Sequence, residues 1–371
     1  MSIYQHAQQL LHETLPELAK HLQEADFETL EGKQSDAINV FREAGGAATL
    51  VKEKYGGKGL TAWQGVLLQM AMGGASPSLA IAAGMHQFSI ATLQEMAKVG
   101  NGLESLMLEG IARSNLLVSS AFSEGQIGKS ILKSQIQAKE VEKGYVISGV
   151  KKPCSLAHCM DLLTASVQVE PAQGEPYFAV AMIHKATEGI SVEQFWQAPF
   201  LQASQSEAVV LDNVFVPHSM MVNVDEKSAY QSHIAGFVWF ELITCASYLG
   251  MVYGLVNKAS EQGRLQGDEK ARVHIQLEAS ALSLKAVAGD MDNQTQDTLA
   301  HILAARYQLQ DVLASVTQST LSLVGGINYI NEGYFGTIAQ VVHAFNFHPP
   351  AKHAMYTPLN QYFNGQQLEM V

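Results

Sequence analysis

Two residue types at two places in this chain invite chemistry. The first is a histidine run near the C-terminus, His343-Ala-Phe-Asn-Phe-His348-Pro349-Pro350, with His353 three residues on. A pair of prolines directly after His348 stops a helix and holds that imidazole at the mouth of whatever the preceding helices enclose. The second is Glu241, the single charge in the twenty residues Phe237 to Val256. A buried carboxylate without a partner is costly, so it reads either as a group with a task, such as a general base, or as half of an ion pair. Other patterns carry less. Ser123-Glu-Gly-Gln-Ile-Gly128-Lys129-Ser130 nearly spells a phosphate-binding loop, but Ser123 replaces its first glycine. The residues that follow alternate like a strand, where a phosphate loop needs a helix. His343, His348 and His353 recur every five residues, which spreads them around a helix, and no carboxylate or cysteine completes a metal site. Gly-Gly-Lys-Gly at 56 to 59 lacks the preceding strand of a dinucleotide fold.

The elements that must position these groups follow from the hydrophobic pattern. Leu10, Leu11, Leu15, Leu18 and Leu22 give one apolar helical face, and Ala71 to Leu93 is helical again, so residues 1–115 are predicted as a helical domain. The period changes at Leu116. Ile136 and Ala138 alternate with polar neighbours, turn at Glu142-Lys143-Gly144 and return through Tyr145 to Gly149, which is a hairpin. Further strands are predicted at 162–169, 177–183, 190–195 and 208–216, making residues 116–222 a β domain. Residues 223–371 return to helices, including one from Leu299 to Val316 that stops at Gly325-Gly326. Helices, strands and helices in that order, without βαβ alternation, define an α+β class.

Composition bounds the function. The chain has 371 residues, 47% hydrophobic, with a net charge of −12, so a basic nucleic-acid surface is not expected. Cys154, Cys159 and Cys245 form no disulfide framework, and the N-terminus reads as no signal peptide, which fits a cytoplasmic setting. Phe237 to Val256 is long enough to span a membrane, but it carries Glu241, Thr244, Ser247 and Tyr248 and lacks basic flanks, so it is read as a buried bundle helix.

With these residues in place, the chain resembles the acyl-CoA dehydrogenase superfamily over nearly its whole length. Tyr55-Gly-Gly-Lys-Gly59, Ser123-Glu124 with Gly128, Gly149-Val-Lys151 leading to Ser155 and Ala157, and Ser204 through Leu211-Asp-Asn-Val-Phe-Val-Pro217 are similar to its motifs, in order and at its spacing. The resemblance implies an N-terminal helical domain, a middle β sandwich or barrel and a C-terminal four-helix bundle. It also implies a flavin, FAD or FMN, between the last two. On that alignment Ser123 and Ser155 would be hydroxyls at the flavin's polar edge, with Ser155 near its N5. Where the superfamily has an aromatic residue two positions earlier, this chain has Pro153. Gly325 and Gly326 would approach a cofactor's adenosine end donated by a neighbouring subunit, which implies a homodimer or homotetramer. Two reactions stay open. Acyl-thioester dehydrogenation needs a carboxylate base; the usual Tyr-Glu-Gly-Thr motif is missing, and Glu241 sits one residue beyond the alternative position on the first bundle helix. The C-terminus, with His348 followed by Tyr362-Phe-Asn364-Gly365, is instead similar to the monooxygenase branch, for which His86, Ser155 and His348 would surround the flavin. The implied partners are an acyl thioester or another small molecule, and an electron-transfer protein or a flavin reductase. A non-catalytic relative that keeps the fold for binding is the third reading.

Overall fold

A computed structural model of the chain describes residues 1–98, 102–125, 134–223, 226–293 and 297–368. Seven helices come first: α1 (Ile3–Thr14), α2 (Pro16–Glu24), α3 (Phe27–Glu31), α4 (Ala37–Glu43), α5 (Ala62–Ala75), α6 (Pro77–Met96) and α7 (Leu103–Ser114). Side chains close their open N-terminal amides: Ser2 with Gln5, and Thr61 with Gln64, form reciprocal capping boxes. The sequence pattern joins Ala71 to Leu93 in one helix, and the structure breaks it. Ser76 caps α6 through the amide of Leu79, and Pro77 takes its first position, where a missing N–H costs nothing.

Eight strands follow: β1 (Val118–Ala121), β2 (Gln137–Val141), β3 (Gly144–Cys154), β4 (Leu162–Glu170), β5 (Tyr177–His184), β6 (Ile190–Glu193), β7 (Glu207–Pro217) and β8 (Met221–Asn223). They form one sheet in the order β6-β7-β3-β2-β4-β5-β8, with β1 paired parallel to β4. The expected hairpin is β2–β3, in register Ala138 to Ile147. Gly128, Lys129 and Ser130 lie outside the described residues; what comes next is strand β2.

The chain then returns to helices: α8 (Glu226–Glu261), α9 (Gly267–Asn293), α10 (Thr298–Val324), α11 (Gly326–Asn331), α12 (Gly333–Ala344) and α13 (Tyr356–Phe363). Helix α8 is the axis of the molecule. It packs on α5 and α6 and on α9, α10 and α12. Two glycines explain how close α5 can come. A Cβ on Gly250 would lie 2.1 Å from the carbonyl of Met70, and one on Gly254 would lie 2.4 Å from that of Gly74. The segment Ile234–Glu261 is the one described helix long and apolar enough to cross a membrane, with mean hydropathy 1.5, and 89% of its most apolar window is buried within the protein. Its apolarity therefore serves one continuous core shared by both helical segments and the sheet.

Candidate active site

A cavity of about 450 Å³ opens where the three segments meet. Helix α6 gives it a stripe, Ile81, Met85, Phe88, Thr92 and Met96, at the spacing of one helical face. Ser120, Phe122 and Ser123 come from the end of β1, and Pro153 and Ser155 from the end of β3. Trp196, Phe200, Leu201 and Ser206 enter from the segment before β7 and its start. Gly236, Phe237, Phe240 and Tyr248 project from α8, and Gln340, His343, Ala344, Phe347, His348 and Pro349 close the C-terminal side. The walls are mostly apolar and aromatic, with serine hydroxyls gathered on the β side and imidazoles on the helical side. Among the described residues no carboxylate lines the cavity, and no group of histidines, cysteines and carboxylates could hold a metal ion.

The structure brings Ser123, Ser155 and His348 to this cavity. Ser123 is tied to β3 through its carbonyl, which accepts from the Lys152 amide at 2.9 Å. Nearby, buried Lys151 donates from Nζ to Glu124 Oε1 at 2.8 Å and to Ser166 Oγ at 3.0 Å, which fixes the exit of β1 against β3 and β4. The Ser155 hydroxyl is 2.8 Å from that of Ser206, which is 2.7 Å from that of Ser204.

His348 is held at both ends. Its Nε2 lies 3.0 Å from the Tyr248 hydroxyl, and its carbonyl accepts from Arg306 Nη2. Burial, and secondarily Arg306, pull its pKa down to about 3, so the ring is neutral. Burial raises the Tyr248 phenol above its ordinary value, and that ring stacks on Phe345 at 4.6 Å between centroids. His348 and Tyr248 thus form an uncharged pair in the cavity wall, able to pass a proton without carrying a permanent charge.

Glu241 and His86 sit elsewhere, for one geometric reason. Each is one residue past a cavity-lining side chain, Phe240 and Met85, and one residue turns a helix by about 100°. Glu241 is fully buried and faces α10, where its Oε1 lies 2.5 Å from Arg306 Nη1. Burial raises the carboxyl to about 7 against the opposing pull of Arg306, and its Oε2 has no hydrogen-bond partner. Arg306 also donates to the carbonyls of His348 and, at 3.0 Å, Pro349. The pair thereby anchors the segment that carries His348. His86 is fully buried, and both of its nitrogens have backbone partners: Nδ1 accepts from the Val118 amide at 3.0 Å, and Nε2 lies 2.9 Å from the Ala47 carbonyl. That arrangement fixes a neutral ring protonated on Nε2, and burial lowers its pKa to about 4.

Gly325 and Gly326 lie at the turn from α10 into α11, outside the cavity lining. Gly325 has φ +81°, the left-handed region, and no atom stands within 4 Å of a Cβ placed on either residue. Beside them Ile327 and Ile330 are 74% and 77% exposed.

No family model matches the chain. Isobutylamine N-hydroxylase from Streptomyces viridifaciens is 34% identical over 363 residues, covering 96% of both chains. The chain belongs to the acyl-CoA dehydrogenase superfamily of flavin-dependent oxidoreductases. That superfamily holds dehydrogenases as well: mitochondrial isovaleryl-CoA dehydrogenase from Oryza sativa subsp. japonica is 25% identical, over 76% of this chain and 71% of its own. The FMN-bound structure of TdsC from Paenibacillus sp. A11-2 shares the fold with a TM-score of 0.84 over 98% of both chains, at 16% identity.

Sequence reasoning gave Ser204, Ser206, Tyr248 and Arg306 no role in the site. Arg306 had a signal: it is the sole lysine or arginine in α10, as Glu241 is the sole charge in its apolar stretch. Two isolated opposite charges on packed helices point to each other.

Proposed function

We propose that this protein is a reduced-flavin, O2-dependent monooxygenase that oxygenates the nitrogen of a small apolar amine. The observation that carries this reading is the cavity itself. It joins hydroxyls, a neutral His348–Tyr248 pair and aromatic walls, with no carboxylate among its described lining residues. Apolar walls disfavour an ammonium ion and favour the free amine, whose lone pair must attack oxygen. The N-hydroxylase that matches the chain end to end supports the same chemistry.

The residues fit a flavin. A tricyclic ring needs apolar surfaces for its faces and polar groups at one edge, and the cavity supplies Phe122, Trp196 and Phe240 for the first and Ser123, Ser155 and Ser206 for the second. A bound reduced flavin, FMN or FAD, would supply the two electrons that activate oxygen. The reaction is R–NH2 + O2 + reduced flavin → R–NHOH + H2O + oxidised flavin. Within it, Ser155 would orient the ring edge, and His348 with Tyr248 would pass the proton lost by the amine nitrogen to the oxygen that leaves as water. Glu241 and Arg306 position His348, and His86 holds the α6–β1 junction. A flavin reductase would be the electron source.

The assembly belongs to the same proposal. Exposed Ile327 and Ile330 beside the open Gly325–Gly326 turn support a homodimer or homotetramer in which that turn faces a neighbour's cofactor. The three free thiols support a cytoplasmic setting.

Dehydrogenation of an acyl thioester is the second reading, and Glu241 favours it. Burial pushes its carboxyl up to about 7 and its Oε2 has no hydrogen-bond partner, as a base requires, although its side chain faces α10 and would have to turn into the cavity to reach a substrate. One experiment separates the two. The protein is supplied with a flavin reductase, NADH, FMN and isobutylamine in air, and in parallel its flavin complex is mixed anaerobically with isovaleryl-CoA. Monooxygenation predicts the hydroxylamine by mass spectrometry and no anaerobic bleaching. Bleaching by the thioester, without amine-dependent product, would overturn the proposal.

A further inference from the structure

The proton count along the serines behind Ser155 has a direction. Ser204 Oγ is 2.7 Å from the Leu201 carbonyl, and a carbonyl can only accept, so Ser204 spends its one proton there. Ser204 must then accept from Ser206 at 2.7 Å, which spends the Ser206 proton. Ser206 must in turn accept from Ser155 at 2.8 Å. Ser155 is left with no proton for the cavity and presents lone pairs to it. The anchor is rigid. Ser204 is fully buried in a short turn, Gln202–Ser204, flanked by Leu201 at φ +55° and Gln205 at φ +54°. The turn is tied to the strand exit beyond Ser155, because the Leu156 and Ala157 amides donate to the carbonyls of Ser204 and Gln205. Two left-handed non-glycine residues are costly and persist where the surroundings impose them.

We propose that Ser204 and Ser206 set the hydrogen-bond polarity of Ser155, so that the cavity selects a ligand presenting a donor at that point, which for a flavin means the reduced form. This deepens the proposed function and rests on its seating of the flavin edge at Ser155. Oxidised flavin offers a bare N5 lone pair, which would face the Ser155 lone pairs. Reduced flavin carries hydrogen on N5, and Ser155 would accept a hydrogen bond from it. Ser204 and Ser206 are positioning residues here. They act through Ser155 and decide which redox state is held.

Anaerobic titration of the full-length protein with oxidised FMN and with photoreduced FMN tests this. Wild type should bind the reduced form at least about tenfold more tightly, the order expected for one hydrogen bond made against one lost. Ser204→Ala releases the Ser206 proton, lets Ser155 donate, and should cut that ratio about tenfold. The two-electron potential of the bound flavin should fall by about 30 mV as a result. Ser206→Ala should act in the same direction, and Ser204→Thr, which keeps a hydroxyl, should restore the ratio. A purely structural loss would weaken both forms equally. Equal binding of the two forms by wild type, or an unchanged ratio in Ser204→Ala and Ser206→Ala, would overturn the relay while leaving the flavin reading standing. Binding of neither form would overturn both.

Discussion

Replacing Arg306 by methionine is the sharpest test of how His348 is held. The side chain is fully buried and serves three acceptors: the Glu241 carboxylate at 2.5 Å, the Pro349 carbonyl at 3.0 Å and the His348 carbonyl. Hydrogen bonds from a charged donor contribute about 1.5–3 kcal/mol each, so three give an upper bound of about 5–9 kcal/mol. Two effects reduce it. The carboxyl already titrates near 7, so without Arg306 it can take up a proton instead of remaining a bare buried charge, and methionine fills most of the volume. The expected cost is therefore about 3–5 kcal/mol, the range for removing one partner of a buried pair. The double variant Glu241→Met with Arg306→Met should recover most of that stability, because a packed apolar pair replaces a buried ion pair at little net cost. It should not recover function. The carbonyls of His348 and Pro349 stay untethered, so His348 loses its position against Tyr248. Urea unfolding gives the stability terms, and the ratio of product formed to oxygen consumed gives the functional one. A double variant as stable and as tightly coupled as wild type would refute the anchoring role. So would Arg306→Met losing less than about 1 kcal/mol.

Three further outcomes are expected. His348→Ala should uncouple oxygen consumption from product and release peroxide, whereas Glu241→Gln, whose amide oxygen still accepts from Arg306, should act mainly through stability; a loss of about two orders of magnitude in anaerobic flavin reduction by an acyl thioester in Glu241→Gln would instead make Glu241 the base. His86 is neutral in the fold with its pKa lowered from 6.5 to about 4, so its contribution of about 3 kcal/mol is present above pH 6.5 and lost as pH falls through 4; His86→Gln should flatten that part of the urea midpoint against pH, and an unchanged slope would contradict the assignment. Ile330→Asp should shift the assembly toward monomer by light scattering at micromolar concentration without lowering the unfolding free energy from urea titration by more than about 0.5 kcal/mol, and a wild type that is already monomeric would remove that interface.

The sequence carried the architecture because its signals are local and periodic. The change from helical spacing to alternation at Leu116, the turn at Glu142-Lys143-Gly144 and the stop at Gly325 each needed a few residues to read, and the structure has α7 ending at Ser114, β2 turning into β3 and α10 ending at Val324. The one helix drawn across a boundary, Ala71 to Leu93, failed at Ser76-Pro77, where apolarity continued and the backbone did not. The site was less legible because it depends on which way a side chain turns. Glu241 and His86 were singled out by type, and each lies one residue past a position that does line the cavity. A 100° rotation changes neither composition nor spacing enough to show in a single sequence. The serines were hidden for a different reason. Ser204 and Ser206 are ordinary residues in an irregular turn, and what they do is a matter of proton order, fixed by one carbonyl three residues before Ser204. What makes this cavity specific therefore lies less in which reactive residues it contains than in how buried partners constrain them. Arg306 sets where His348 stands, and Ser204 sets which way Ser155 points its proton. Both constraints join residues distant in sequence and close in the fold, and they became legible once the packing of α8, α10 and the β3–β7 edge placed those partners together.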